Sequence, residues 1–166
     1  MKRIARFEII SYKQWEKDLE GMLQSNHSAV YYGDLQIPVR KTKGSAGYDF
    51  IAPFDLIIQP HSDILIKTGI KCQIEEGYVL ELYPRSSLGF KHRLALNNTV
   101  GIIDSDYYNN VNNEGHIMCK MYNPTNNIIT IHKGEAFAQG IFKQFFLADE
   151  EEVTTERVGG IGSTNS

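Results

Sequence analysis

Two carboxylates stand two residues apart in Gly101-Ile102-Ile103-Asp104-Ser105-Asp106-Tyr107, directly after an apolar pair. On one continuous strand they would share a face and repel. If the chain turns between them, they diverge and take separate tasks. A buried Asp104 beside Ile102 and Ile103, kept ionised by an arginine, would suit a general base that draws a proton from water. Solvated turn aspartates fit the same local residues equally well.

Four further segments carry groups able to hold an anion. Pro84-Arg85-Ser86-Ser87-Leu88-Gly89-Phe90 joins a planar cation, two hydroxyls and free backbone amides at the end of a strand, which is what a phosphate needs. A helix N-cap at Ser86 or Ser87 beside a surface Arg85 is the plainer alternative. In Ser45-Ala46-Gly47-Tyr48-Asp49-Phe50, small residues lead into a strand with one carboxylate, and a turn Asp beside a core Tyr explains it as well. Gln139 sits inside the apolar run Ala136-Phe137-Ala138-Gln139-Gly140-Ile141-Phe142, where an unmet amide would cost about 1–3 kcal/mol. It must bond either to backbone or to a ligand. Arg157-Val158-Gly159-Gly160-Ile161-Gly162-Ser163-Thr164 combines glycines, hydroxyls and an arginine that can wrap an anion in backbone amides. It lacks the Gly-Lys-Ser/Thr of a Walker A loop, and a floppy terminus is its bland reading.

Positioning these segments falls to a chain that reads as mostly β. Arg3 to Ile10 alternates as a strand. Ser11 and Gln14 match a capping box, and Trp15, Leu19, Met22 and Leu23 recur on one helix face, so a helix is expected over Tyr12 to Gln24, ended by Ser25-Asn26-His27. Everything after it is expected to be strand and turn: Leu56–Ile58, Ile64–Ile74, Tyr78–Tyr83, Gly115–Tyr122, Ile128–His132 and Ala136–Phe146 are short apolar runs punctuated by Pro, Gly and Asn. Such spacing suggests a sandwich or barrel rather than βαβ units. The expected organisation is an appended strand and helix over residues 1–35, a β core over 36–148 and a tail over 149–166.

The bulk composition is that of one ordinary globular domain, with 42% hydrophobic and 22% charged residues. Lys plus Arg number 17 against 20 Asp plus Glu, a net charge of −3 that argues against a general nucleic-acid binder. Cys72 and Cys119 have no zinc or disulfide-framework spacing and read as buried thiols. Neither a signal peptide nor a membrane span is expected, which makes the cytoplasm the default compartment.

Taken in order, the five segments resemble the five motifs of the trimeric dUTPase family over about Gly33 to Ser166: Ala46-Gly47-Tyr48-Asp49, Pro84 to Leu88, Asn98 to Tyr107, Gly134 to Phe142 and Arg157 to Thr164. Arg-Ser-Ser-Leu-Gly-Phe-Lys and Asn-Glu-Gly-His are similar to the branch found in Gram-positive bacteria and their phages. The resemblance implies an all-β, jelly-roll-like distorted β-barrel of the β-clip type and a homotrimer with shared active sites. It also implies a Mg2+-dependent hydrolysis of dUTP to dUMP and pyrophosphate, which limits uracil in DNA and supplies dUMP for dTMP synthesis.

By the same resemblance, Asp104 orients the attacking water and Tyr107 stacks under the deoxyribose, leaving no room for a 2′-hydroxyl. Asn98 and the backbone from Gly101, Ile102 and Ile103 to about Met118 read the uracil edge. Arg85, Ser86, Ser87 and Gln139 match phosphate contacts, and Arg157, Ile161, Gly162, Ser163 and Thr164 match the closing tail. Asp49 matches a residue that meets the magnesium through water. Reading uracil with fixed amides and one Asn rejects cytosine, which would leave a buried polar group unpaired.

Three departures stand out: a longer turn at Asn109 to Glu114, Ile161 where an aromatic usually covers the base, and a one-residue-shorter Arg-to-Gly spacing. An aliphatic cover forgoes base stacking worth about 1–3 kcal/mol and implies weaker substrate affinity. A dCTP deaminase of the same superfamily and a non-enzymatic nucleotide-binding barrel, with a regulatory partner if phage-encoded, are the competing readings. The first would need a catalytic Glu beside the base, and Tyr107 at the sugar position speaks against it.

Overall fold

The computed structural model describes residues 2–20, 32–149, 153–154 and 157. Among the described residues, eleven strands run in chain order: β1 (Ala5–Ile9), β2 (Tyr48–Ile51), β3 (Leu56–Ile58), β4 (Asp63–Lys67), β5 (Ile70–Ile74), β6 (Tyr78–Pro84), β7 (Ala95–Leu96), β8 (Gly101–Ile103), β9 (Met118–Tyr122), β10 (Ile129–Ile131) and β11 (Ala136–Gln144). Helix α1 (Tyr12–Leu19) follows β1, helix α2 (Ser86–His92) follows β6, and a 3-10 turn, Ser105–Tyr107, follows β8.

All pairings are antiparallel. The largest sheet is ordered β2-β11-β6-β8, with a three-stranded sheet β4-β9-β7 and the pairs β1-β5 and β3-β10 beside it. Alternation drives the inward faces. Ile70, Cys72 and Ile74 of β5 are buried while Lys71 and Gln73 look outward, and Cys119 and Met121 of β9 do the same. Phe50, Leu80, Leu82, Ile66, Ile117, Met121 and Phe137 close one core between the sheets. Both cysteines are buried free thiols, as expected, and burial pushes each up to about 12. No helix among the described residues is long and apolar enough to cross a membrane.

The structure departs from the expected elements in several places. The run from Ile64 to Ile74 is two strands, because Gly69 sits at φ +74 and breaks the extended path. The strand expected from Gly115 begins only at Met118. Ile117 N–H donates to Ile70 O at 2.8 Å and Ile117 O accepts from the Thr68 hydroxyl at 2.7 Å, so these residues serve a loop clamp. The expectation of strand and turn alone after the first helix fails at α2, which buries none of its residues and so carries no apolar stripe to read. Arg85, not a serine, occupies its N-cap, with no side-chain hydrogen bond.

The N-terminal helix is seen over Tyr12–Leu19, with Glu20 at the C-cap; its expected stop at Ser25-Asn26-His27 lies outside the described residues. Half of the capping box forms: Ser11 Oγ accepts from Gln14 N at 3.1 Å. Ser11 N–H goes instead to Glu114 Oε2 at 3.0 Å. The N-terminal strand and helix are laid into the β core. β1 pairs with β5 from Ala5↔Ile74 to Ile9↔Ile70, and Ile10, Trp15 and Leu19 belong to the same hydrophobic cluster as the sheets.

Candidate functional site

The β7–β8 connection crosses from the β4-β9-β7 sheet to the larger sheet, and a cavity of about 450 Å³ opens beneath it. Asn98, Gly101, Ile102, Ile103, Asp104, Tyr107, Met118 and Arg157 line it, together with apolar Leu65, Leu82 and Leu96. The crossing is held tightly, with Thr99 N–H donating to Leu96 O at 2.9 Å and Val100 N–H to Asn98 O at 2.7 Å. Thr99 itself lies at φ 67, a left-handed conformation costing a β-branched residue roughly 1–3 kcal/mol.

Asp104 follows the last pair of β8, Ile103↔Leu80, and begins the 3-10 turn. Of the two readings the residues left open, Asp104 takes the solvated one, with its side chain 47% exposed. The chain turns between the two aspartates, yet they do not diverge, because both converge on one guanidinium. Arg157 Nη2 donates to Asp104 Oδ2 at 2.6 Å and Arg157 Nε to Asp106 Oδ1 at 2.9 Å. The cation removes the like-charge penalty that would otherwise turn one side chain away.

Arg157 also lies over the Tyr107 ring, 5.7 Å from its centroid. The ring is buried, and its hydroxyl donates to His116 O at 2.9 Å while accepting from Asn113 Nδ2 at 2.8 Å. Burial pushes that hydroxyl above its ordinary 10.0, outweighing the hydrogen bond from Asn113 and the charge of Arg157, so it remains a protonated donor.

A second cavity, about 520 Å³, opens where β6 runs into α2 and holds Arg85, Ser86 and Gln139 with Phe90 and Ile141. The central sheet aligns these groups, because Gln139 of β11 faces Asp49 of β2 on one side and Tyr83 of β6 on the other. Arg85 Nη1 donates to Asp49 Oδ1 at 2.5 Å, and Asp49 is 2% exposed. Asp49 thus fixes the guanidinium first of all. Its second oxygen, Oδ2, is buried without a hydrogen-bond partner. Gln139 Nε2 reaches Pro84 O only at 3.5 Å, leaving most of its amide for a ligand. Ser87 lines neither cavity.

A methyl group at Gly47 would come within 2.6 Å of Gln139 Oε1. We expect Gly47→Ala to displace that flexible amide and weaken phosphate-ligand binding about 3- to 10-fold, the worth of one hydrogen bond. The melting temperature should stay nearly constant; calorimetric titration and a thermal melt read the two quantities.

The two cavities do not meet within one chain. Asp104 leaves the sheet just past Leu80, while Arg85 lies beyond Pro84 at the far end of the same strand β6. At roughly 3.3 Å per residue, that places them about 20 Å apart. Ile161, Gly162, Ser163 and Thr164 lie outside the described residues. Among the described residues there is no cluster of three or more His, Cys, Asp or Glu able to hold a metal.

One network was not legible in the sequence. His116, fully buried, sets Nδ1 2.6 Å from Asp18 Oδ2 of α1, and its Nε2 accepts from Gly69 N–H at 2.8 Å. An amide can only donate, so Nε2 carries no proton and Nδ1–H points at Asp18. Burial alone would push the Asp18 carboxyl up, yet the His116 hydrogen bond and the Lys67 charge hold it below its ordinary 3.8. A carboxyl lowered by folding stabilises the fold above its unfolded pKa, and the contribution disappears as pH falls through the folded value. The Tm advantage of the wild type over Asp18→Asn should therefore shrink as pH drops below 3.8, which melts between pH 6 and 3 will show.

Known proteins share this architecture. A family model described as dUTPase matches residues 34–165. The deoxyuridine 5'-triphosphate nucleotidohydrolase of Lactococcus lactis subsp. lactis (strain IL1403) is 46% identical over 134 residues, covering 80% of this chain and 89% of that protein. The crystal structure of dUTPase from Streptococcus mutans superposes with a TM-score of 0.67 at 37% identity, covering 86% of this chain and 98% of that one. The dUTPase from phage phi11 of S. aureus shares the fold alone, with a TM-score of 0.65 at 19% identity over 92% of this chain and 97% of its own. The chain belongs to the dUTPase family.

Proposed function

We propose that this dUTP diphosphatase cleaves dUTP to dUMP and pyrophosphate with water oriented by Asp104, in a homotrimer whose active sites each draw on more than one chain. The cavity that gathers Asn98, the Gly101–Ile103 backbone, Asp104, Tyr107 and Met118 carries the reading. Asn98 and the fixed amides of the β7–β8 crossing bind the uracil edge. Tyr107, walled in by its bonds to His116 and Asn113, stacks on the deoxyribose and closes the space a 2′-hydroxyl would need. Asp104 accepts a proton from the water that attacks the α-phosphorus, and pyrophosphate leaves. Arg85, Ser86 and Gln139 bind phosphate oxygens from their own cavity, and Ser87, which lines neither cavity, is kept as a phosphate contact on the family resemblance alone.

The distance of about 20 Å between Asp104 and Arg85 in one chain supports a shared site, since a single triphosphate cannot span both. A second copy brings its Arg85 cavity to the Asp104 of the first. Arg157 then exchanges the aspartates for the triphosphate, and Ile161, Gly162, Ser163 and Thr164, which lie outside the described residues, are assigned to the same substrate by the resemblance. Asp49, with one carboxylate oxygen on Arg85 and the other buried without a partner, suits a water-mediated contact to magnesium carried on the triphosphate. Bound magnesium neutralises phosphate charge and favours in-line attack. The reaction would run in the cytoplasm, limiting uracil in DNA and supplying dUMP for dTMP synthesis.

The decisive assay follows pyrophosphate from dUTP and ammonia from dCTP, each with magnesium or with chelator, alongside a light-scattering mass. Magnesium-dependent pyrophosphate release from dUTP by a species of three chains is expected. Ammonia from dCTP, binding without turnover, or full activity in a monomer would overturn the corresponding part.

A further inference from the structure

Ser11, Lys17 and Asp18, at the two ends of helix α1, meet one and the same turn. Ser11, at the helix N-cap, donates through N–H and Oγ to the Glu114 carboxylate. Lys17 Nζ reaches Asn112 O at 3.3 Å, Asp18 meets His116, and the Trp15 ring lies 6.2 Å from the His116 ring. All of these partners belong to the turn that joins Tyr107 to β9. That turn doubles back tightly: Gly115 sits at φ +78, and a methyl there would stand 2.6 Å from Tyr107 O. Asn110 Nδ2 donates to Tyr107 O at 2.9 Å and to Asn113 Oδ1 at 2.7 Å. Tyr107 is thus gripped at its carbonyl by Asn110 and at its hydroxyl by Asn113 and His116 O. His116 in turn is fixed through its ring between Asp18 of α1 and Gly69 of the β4–β5 corner.

We propose that Asp18, acting through His116, is a positioning residue for Tyr107, so that the N-terminal helix sets how strictly the pocket discriminates deoxyribose from ribose. The proposal rests on the reading of Tyr107 as the sugar platform. A hydroxyl whose acceptor is a backbone carbonyl moves whenever that carbonyl moves, and the His116 ring is the side chain that pins this one. Loss of Asp18 frees Nδ1–H, lets the ring and its carbonyl drift, and opens room beneath the sugar.

The test uses the full chain and compares kcat/KM for dUTP and UTP in wild type, Asp18→Ala, Asp18→Asn and Asn113→Ala. Because both substrates see the same active fraction, a variant that is merely less folded leaves their ratio unchanged. Asp18→Ala is expected to raise the UTP:dUTP ratio about 10-fold, chiefly through KM, the scale of one ordering hydrogen bond. Asp18→Asn should stay within about two-fold of wild type, since its amide oxygen still accepts Nδ1–H. Asn113→Ala, which removes the other partner of the Tyr107 hydroxyl, should shift the ratio in the same direction and serves if Asp18→Ala does not fold. An unchanged ratio in both alanine variants, with wild-type dUTP turnover intact, overturns the proposal and leaves the function standing. Absence of wild-type turnover overturns the function instead. Tyrosine-labelled NMR then reads the positioning directly: Tyr107 ring resonances should move in Asp18→Ala and hold in Asp18→Asn, and unmoved resonances in both overturn it.

Discussion

Asp104→Asn is expected to lower kcat for dUTP by about 10²–10⁴, the usual scale for losing a general base. The substitution keeps the size of the side chain and one of its acceptor oxygens, so the 3-10 turn at Ser105–Tyr107 and the packing beside Ile103 should persist. What it removes is the negative charge and the basicity that take a proton from water. Arg157 retains Asp106 at 2.9 Å as a partner, which spares the variant an orphaned guanidinium. Substrate affinity should change far less than turnover, because the proposed uracil and sugar contacts fall to other residues of the same cavity. Steady-state pyrophosphate release checks this, and near-full turnover in the variant would remove Asp104 from the chemistry.

The second large effect is expected from Arg85→Ala, on stability and catalysis together. Asp49 is 2% exposed and its only hydrogen-bonding oxygen accepts from Arg85. Removing the cation strands a buried carboxylate, a change that costs about 3 kcal/mol at the low end of the range for broken buried pairs. The low end applies because the Arg85 side chain is 34% exposed. For a chain of this size, that corresponds to roughly 6–12 °C in melting temperature. Loss of a charge-assisted phosphate contact should also reduce kcat/KM about 10- to 100-fold. Adding Asp49→Asn to Arg85→Ala should restore much of the stability and none of the catalysis, because the stranded charge is gone while the phosphate contact stays lost. A thermal melt and dUTP kinetics on the single and double variants separate the two effects; a wild-type melting temperature in Arg85→Ala would show that the pair contributes nothing.

How much of this was readable from the residues depended on the range of the interaction. Strands β3 to β6 and β9 to β11 follow local apolar runs, so they could be placed from sequence, whereas β7 and β8 are too short to leave such a run and were not. The ends of the placed strands could not be read, where Gly69 or the Thr68–Ile117 clamp decided them from a distance. Helix α2 was open only as an N-cap reading at Ser86 or Ser87, because a helix with no fully buried residue leaves no apolar stripe to mark its length. Arg85, Asp104 and Gln139 were candidates from their own short segments, while Asn98 and Tyr107 entered only through the family resemblance. Their gathering into two cavities was not legible, because it depends on the sheet order β2-β11-β6-β8. Least legible was the Asp18–His116 contact, spanning 98 positions between a helix that reads as an appendage and a turn that reads as an insertion.

Cys119 carries a consequence of its own. It is 4% exposed in the wall of the Asp104 cavity, and burial holds its thiol at about 12. At neutral pH only on the order of one molecule in 10⁵ bears the thiolate, the form that attacks peroxides and electrophiles. The Asp104 cavity is therefore lined by a sulfur that is chemically silent. Oxidants that stall enzymes with activated cysteines will pass this one by, and an inhibitor armed to capture a pocket thiol will gain no covalent hold here.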